Sequence, residues 1–241
     1  MSRSAAIEPD RVLVLQHEQE LSAGLLGEWT RARGLRLDVR PAQGGWEVHD
    51  LSPFGLVCSL GSHEHADDDE LPWLERELDL LRRAQASEVP VLGICFGAQS
   101  LARALGGTTG PAPRPEVDWI EVEMTQPGSI PAGPWPFWHV DRFEVPPGGE
   151  LLARTDVGPA AFRLGSALGV QFHPELTEAG LERMIDGQRG AVGHERVAAL
   201  RAGVAAEPAR LRERAWALYD GLIGAATRSS PEERRDEWAM R

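Results

Sequence analysis

Apolar residues along the chain fall into short, dense blocks separated by stretches with a helical period. Residues 11–16, 35–40, 56–61 and 89–94 are runs or alternations of Val, Leu and Ile bounded by Gly, Pro or charged residues, which predicts strands of a buried sheet. Between them, 20–33 and 72–86 space their leucines three and four apart, the period of a helix with one apolar face. A further helix is expected over 97–105, directly after the fourth strand. Alternation of this kind predicts an α/β fold, an open, mostly parallel sheet with helices on both faces. The blocks at 117–124, 137–145, 151–155 and 160–164 form a strand-rich insertion punctuated by Pro and Gly, and 167–172 is expected to return the chain to the main sheet. After Glu175 the pattern is helical. Leu211, Ala215, Leu218, Tyr219 and Leu222 share one face, either a cap packed on the domain or a surface for a partner. The expected organisation is one catalytic domain over 1–190, a helical extension over 191–227, and a charged, flexible tail over 228–241.

The run Val91-Leu92-Gly93-Ile94-Cys95-Phe96-Gly97-Ala98-Gln99 places a cysteine between a strand and a helix with no loop. Gly93 and Gly97 flank it as a sharp strand-to-helix turn requires, because a Cβ at either position would crowd the close approach of strand and helix. The free N–H groups at the helix start would favour thiolate at Cys95 and make it a nucleophile. Taken alone, such a cysteine could equally be a small buried hydrophobe.

A second run, Gly169-Val170-Gln171-Phe172-His173-Pro174-Glu175, changes that balance. Its histidine and glutamate lie two apart at the end of an expected strand, where alternation points both to one side. An imidazole aimed at the thiol and held by a carboxylate is the logic of a catalytic triad with a cysteine nucleophile.

Together, the two runs resemble the class I glutamine amidotransferases, the Cys-His-Glu glutaminases, over roughly residues 11–190. The resemblance implies a flavodoxin-like fold in which Cys95 attacks the side-chain amide of L-glutamine, His173 moves the proton, and Glu175 orients His173. It also implies an oxyanion hole formed by the backbone N–H groups of Phe96 and Gly61, with Gln99 contacting substrate. Family members often carry a Gly-Gly-Pro type turn at the oxyanion strand, whereas this chain reads Cys58-Ser59-Leu60-Gly61-Ser62-His63, with one glycine for the close approach. Cys58 reads as core packing. The segment from Phe137 to Phe143 is similar to the corresponding part of GMP-synthetase-like glutaminases, which implies that His139 and Asp141 help hold the substrate's amino-acid head group; a structural loop would show the same residues.

A rival chemistry lies in His63-Glu64-His65-Ala66-Asp67, whose His-x-His-x-Asp spacing occurs in hydrolytic metal sites. Asp68 stands where a further histidine would be expected and no second ligand cluster follows, so the segment is read as a solvated acidic loop that closes over the pocket, with no metal and no cofactor.

Composition narrows the partners. With 37 acidic and 25 basic residues the net charge is −12, against direct nucleic-acid binding. All the basic residues are arginine, so neither lysine Schiff-base chemistry nor a Walker A phosphate loop is available. There is no charge-free run of membrane-spanning length and no apolar core of a signal peptide at the start, and two cysteines make no disulfide framework, which together lead to the expectation of a cytoplasmic protein. No pyrophosphatase loop of the Ser-Gly-Gly-x-Asp kind is present, so ammonia would pass to a separate synthetase or acceptor enzyme. Two alternatives follow from the same residues: a stand-alone hydrolase or transferase of γ-glutamyl amines and peptides, and a non-catalytic regulatory partner.

Overall fold

The computed structural model describes residues 9–187 and 194–228. The boundary drawn at 190 lies outside the described residues, and so does the tail drawn over 228–241, apart from Arg228 at a helix end.

The first half alternates as its periodicity dictates: β1 (Arg11–Gln16), α1 (Gly24–Ala32), β2 (Arg36–Pro41), β3 (Phe54–Ser59), α2 (Leu74–Ala86), β4 (Val91–Ile94) and α3 (Phe96–Ala104). The strand-rich middle follows as β5 (Thr109–Ile120), β6 (Glu123–Met124), β7 (Trp135–Phe143), β8 (Glu150–Arg154), β9 (Pro159–Leu164) and β10 (Ala167–Val170). Three helices complete the described chain, α4 (Glu178–Asp186), α5 (His194–Ala206) and α6 (Pro208–Arg228).

Eight strands form one sheet in the order β2-β1-β3-β4-β10-β9-β8-β6. Pairing is parallel from β2 through β10 and antiparallel beyond, so the insertion extends the sheet on one side. Strand alternation divides the interior. Val12 and Val14 of β1 face a core shared with α1, α4, α5 and α6, while Leu13 and Leu15 face one shared with α2 and α3. All four are fully buried, each worth roughly 1.5–3 kcal/mol of transfer free energy. β4 and β10 are adjacent and parallel, so the turns after their carboxyl ends lie side by side, where open α/β sheets place their ligands.

Three departures from the pattern in the sequence bear on the site. α1 begins at Gly24 rather than near 20: Gly24 has φ 41°, and a Cβ there would lie 2.0 Å from the carbonyl oxygen of Glu175. Leu25 N–H donates to that oxygen at 2.8 Å, so the helix start anchors the loop that carries Glu175. Second, β5 and β7 pair only with each other, as a two-stranded sheet of their own. Pro111, Pro113 and Pro115 cannot donate to a ladder, and the register shifts between Pro111 and Glu116. Third, β10 stops at Val170, two residues short of the expected end.

The expected apolar face of α6 is buried throughout. Tyr219 meets Trp29 of α1 edge-on at 5.7 Å, and Trp29 Nε1 donates to Asp220 at 3.0 Å. Among the described residues no helix is long and apolar enough to cross a membrane.

Candidate active site

Cys95 stands between β4 and α3 with φ 53° and ψ −111°, a region that L-residues rarely occupy. Both glycines are required by contact: a Cβ on Gly93 would lie 2.5 Å from the carbonyl oxygen of Gly97, and one on Gly97 would lie 2.1 Å from that of Ser59. Cys95 N–H donates to Val170 at 2.8 Å and Gly97 N–H to Leu60 at 3.0 Å, which pins the turn to its neighbours on both sides. The sulfur lies 3.6 Å from the carbonyl oxygen of Trp138.

His173 and Glu175 come together through a turn, not through strand alternation as the sequence led us to expect. β10 has already ended, and Leu176 N–H closes back on the His173 carbonyl at 3.3 Å. Within this turn Nδ1 of His173 bonds to Oε1 of Glu175 at 2.8 Å. His173 N–H donates to Pro136 at 2.8 Å, fixing the backbone from the β7 side. Burial works against charge on the ring, but Glu175 and Cys95 together outweigh it and hold the His173 pKa well above the ordinary histidine value. By contrast, the fully buried Cys58 has its thiol pushed well up, by burial first and then by the nearby Glu175 and Glu77, as suits a packing residue.

Gly61 lies just past the end of β3, and a Cβ there would be 3.2 Å from the His173 ring and 3.8 Å from Cys95 Cβ. Backbone bonds around the elbow run from the N–H groups of Leu60, Cys95, Gly97, Ala98 and Gln99, and among the described residues none runs from those of Gly61 or Phe96. Gln99 is buried one turn into α3; its Nε2 donates to the Asp141 carbonyl at 3.0 Å and reaches Gln171 Oε1 at 3.4 Å.

A cavity of about 410 Å³ opens over the sulfur, lined by Cys95, Phe96, Gln99, Trp138, His139 and Asp141, with the 62–65 loop opposite. His139 lines it with both ring nitrogens engaged, Nδ1 with the Asp141 carbonyl at 2.7 Å and Nε2 with Glu116 at 2.9 Å. Thr155 donates to the same Glu116 carboxyl at 3.2 Å. Glu116 is therefore the support of the His139 segment, and its sequence signal is weak because it follows a run of prolines.

Asp141 points its carboxyl at His65, and that hydrogen bond, opposed by partial burial, raises the His65 pKa. His65, Asp67 and Asp141 bring three potential ligand atoms within 4.8 Å of one another. Two of these residues are exposed, and Asp141 is paired with His65. His63 turns instead to Glu20, at 3.3 Å.

Fold and site together define an open-sheet α/β enzyme with a cysteine elbow facing a His-Glu pair. The sequence profile of the family described as Glutamine amidotransferase class-I matches residues 29–185, and the chain belongs to that family, in its GMP-synthetase-like group. It is 36% identical over 186 residues to a glutamine-hydrolysing GMP synthase of Thermomicrobium roseum, covering 73% of this chain and 33% of that protein. It is also 36% identical over 147 residues to a subunit of the glutamine-hydrolysing GMP synthase of Thermococcus kodakarensis, covering 56% of this chain and 74% of that one. The chain thus spans about a third of the T. roseum enzyme and most of the T. kodakarensis subunit. A glutamine amidotransferase structure from Thermotoga maritima superposes with a TM-score of 0.82 at 24% identity, covering 89% of this chain and 98% of that chain. One from Methylobacillus flagellatus gives 0.80 at 21%, covering 91% and 95%. These likenesses bear out the expected fold.

Proposed function

We propose that this chain hydrolyses the side-chain amide of L-glutamine through a glutamyl thioester on Cys95 and supplies the ammonia to a separate synthetase. The observation that carries this is the meeting of Cys95, His173 and Glu175 at the carboxyl ends of two adjacent parallel strands, next to one open cavity. The GMP synthases and the separate GMP synthase subunits to which the chain is similar support the ammonia-supplying role.

In the forward step the Cys95 sulfur attacks the amide carbon, with its proton held by His173 Nε2. Negative charge moves onto the carbonyl oxygen, which accepts from the N–H groups of Gly61 and Phe96, neither of them bonded among the described residues. Collapse breaks the C–N bond, and the proton on His173 goes to the leaving nitrogen, which departs as ammonia. Water then gives a proton to His173 and adds its oxygen to the thioester carbon; the second collapse breaks the C–S bond, returns the proton to sulfur and frees glutamate. Glu175 holds Nδ1 throughout, so that Nε2 alone faces the reaction. Gln99 and His139 act on substrate through the shape of the β7 wall: the one donates to the Asp141 carbonyl and the other bonds it through Nδ1.

The test is release of glutamate and ammonia in equal amounts from glutamine, lost by at least about a thousandfold in Cys95→Ala. Retained release in that variant would contradict the proposal. A second reading, hydrolysis of γ-glutamyl amines, is favoured by the cavity, which extends from the sulfur along the 62–65 loop and leaves room for a larger leaving amine. A higher kcat/KM on γ-glutamyl amines than on glutamine would select it.

A further inference from the structure

Buried beside the elbow is a polar group that the reaction steps above leave unused. Glu77 lies on the apolar face of α2 among Leu74, Leu78 and Leu81, and is fully excluded from solvent. Its Oε1 accepts from the Ser59 hydroxyl at 2.6 Å and its Oε2 bonds His17 Nε2 at 2.8 Å. Ser59 and the His17 side chain are equally buried. A leucine at this position would simply extend the core, whereas a carboxyl group here carries a large desolvation cost. Packing therefore gives no reason for it.

Geometry does. The two bonds of Glu77 lead to the two sides of the oxyanion hole. Ser59 is the last residue of β3, two before Gly61, and it is the residue that Gly97 rests against. The His17 ring packs edge-on against Phe96 at 4.8 Å and against Trp73 at 5.2 Å, with Trp73 and Phe96 themselves 5.8 Å apart. Gly61 and Phe96 belong to different elements, a loop after a strand and the start of a helix; the Gly97 N–H bond to Leu60 joins the two at the backbone, and the separation of their N–H groups depends in addition on the side chains that pack the strand end against the helix start. A hole works only if that distance is set before the charge develops.

We propose that Glu77 is a positioning residue that holds the Gly61 and Phe96 N–H groups at a fixed separation by tying Ser59 to His17. The proposal rests on those two N–H groups being the oxyanion donors, but not on which amide is the substrate.

Two probes of Cys95 in the full chain separate this role from a general structural one. p-Nitrophenyl acetate transfers its acetyl group to the sulfur through a tetrahedral oxyanion and releases p-nitrophenolate. Iodoacetamide is displaced at carbon, the sulfur replacing iodide with no oxyanion to stabilise. Both reactions are followed on the Cys95 peptide in wild type, Glu77→Gln and Ser59→Ala. We expect the acylation rate to fall about tenfold or more in each variant while alkylation stays within about twofold. A ratio of the two rates equal to that of wild type, whether both are unchanged or both fall together, would overturn the proposal. If Glu77→Gln does not fold, Ser59→Ala, which removes one hydroxyl, decides the question. Absence of glutamine turnover in wild type would count against the proposed function and leave this ratio as informative as before.

Discussion

At Cys95 the backbone is held at φ 53° by bonds from Cys95 N–H to Val170 and from Gly97 N–H to Leu60. Such a conformation costs on the order of 1–3 kcal/mol for a residue with a Cβ. It follows that Cys95→Gly should be more stable than Cys95→Ala by about 1 kcal/mol, the reverse of the usual order, with both inactive; urea unfolding of the pair checks this. His173 gives a second consequence. Its pKa is raised above 6.5 in the folded state, so its stabilising contribution is complete below about 6.5 and is lost as pH rises through the raised value. The Glu175 carboxylate is the stronger of the two charges that raise it. The stability advantage of wild type over Glu175→Gln should accordingly be greatest near pH 6 and shrink as pH rises above it. A gap that is constant or widens over that range would contradict the pairing.

At the scale of elements, the elbow depends on β3 and α3 approaching more closely than a side chain permits. Gly97→Ala would put a methyl group 2.1 Å from the Ser59 carbonyl oxygen and 2.6 Å from its hydroxyl. A loss of more than about 3 kcal/mol, or failure to fold, is expected from thermal unfolding, whereas an alanine at the open Gly221 of α6 is expected to stabilise by a few tenths of a kcal/mol or more. Much of this architecture was legible because period and burial agree: β1, β3, β4, α2 and α3 lie within two residues of where the Val and Leu spacing puts them. The β5–β7 pair was not legible as a separate sheet, because prolines at 111, 113 and 115 read as punctuation and pairing across them is a tertiary choice. Cys95, His173 and Glu175 stood out from motif spacing, yet the contact of His173 with Glu175 arises in a turn that no alternation foretells. Glu77 was missed altogether, although a signal existed. It occupies the leucine stripe of α2, where a lone charge on the apolar face calls for a buried partner, and the partners, at residues 17 and 59, are remote in sequence.

For the molecule as a whole, the sheet carries two kinds of construction. Its parallel half, β2 to β10, supplies the elbow, the strand that leads to Gly61 and the His-Glu turn. β7 of the β5–β7 pair supplies the adjoining wall, where Trp138, His139 and Asp141 line the cavity beside Cys95. α6, packed on α1, covers the core cluster that also holds Cys95 and Trp138, and among the described residues it lends no side chain to the cavity lining. Under the proposed function all of these serve one covalent event, transfer of a γ-glutamyl group to Cys95. The most direct test is to quench the chain in acid during turnover of glutamine and map its two cysteines by peptide mass. The account predicts a γ-glutamyl group on Cys95 and none on the buried Cys58. Glutamate production with Cys95 unmodified at every time point, or with the label at another residue, would contradict it.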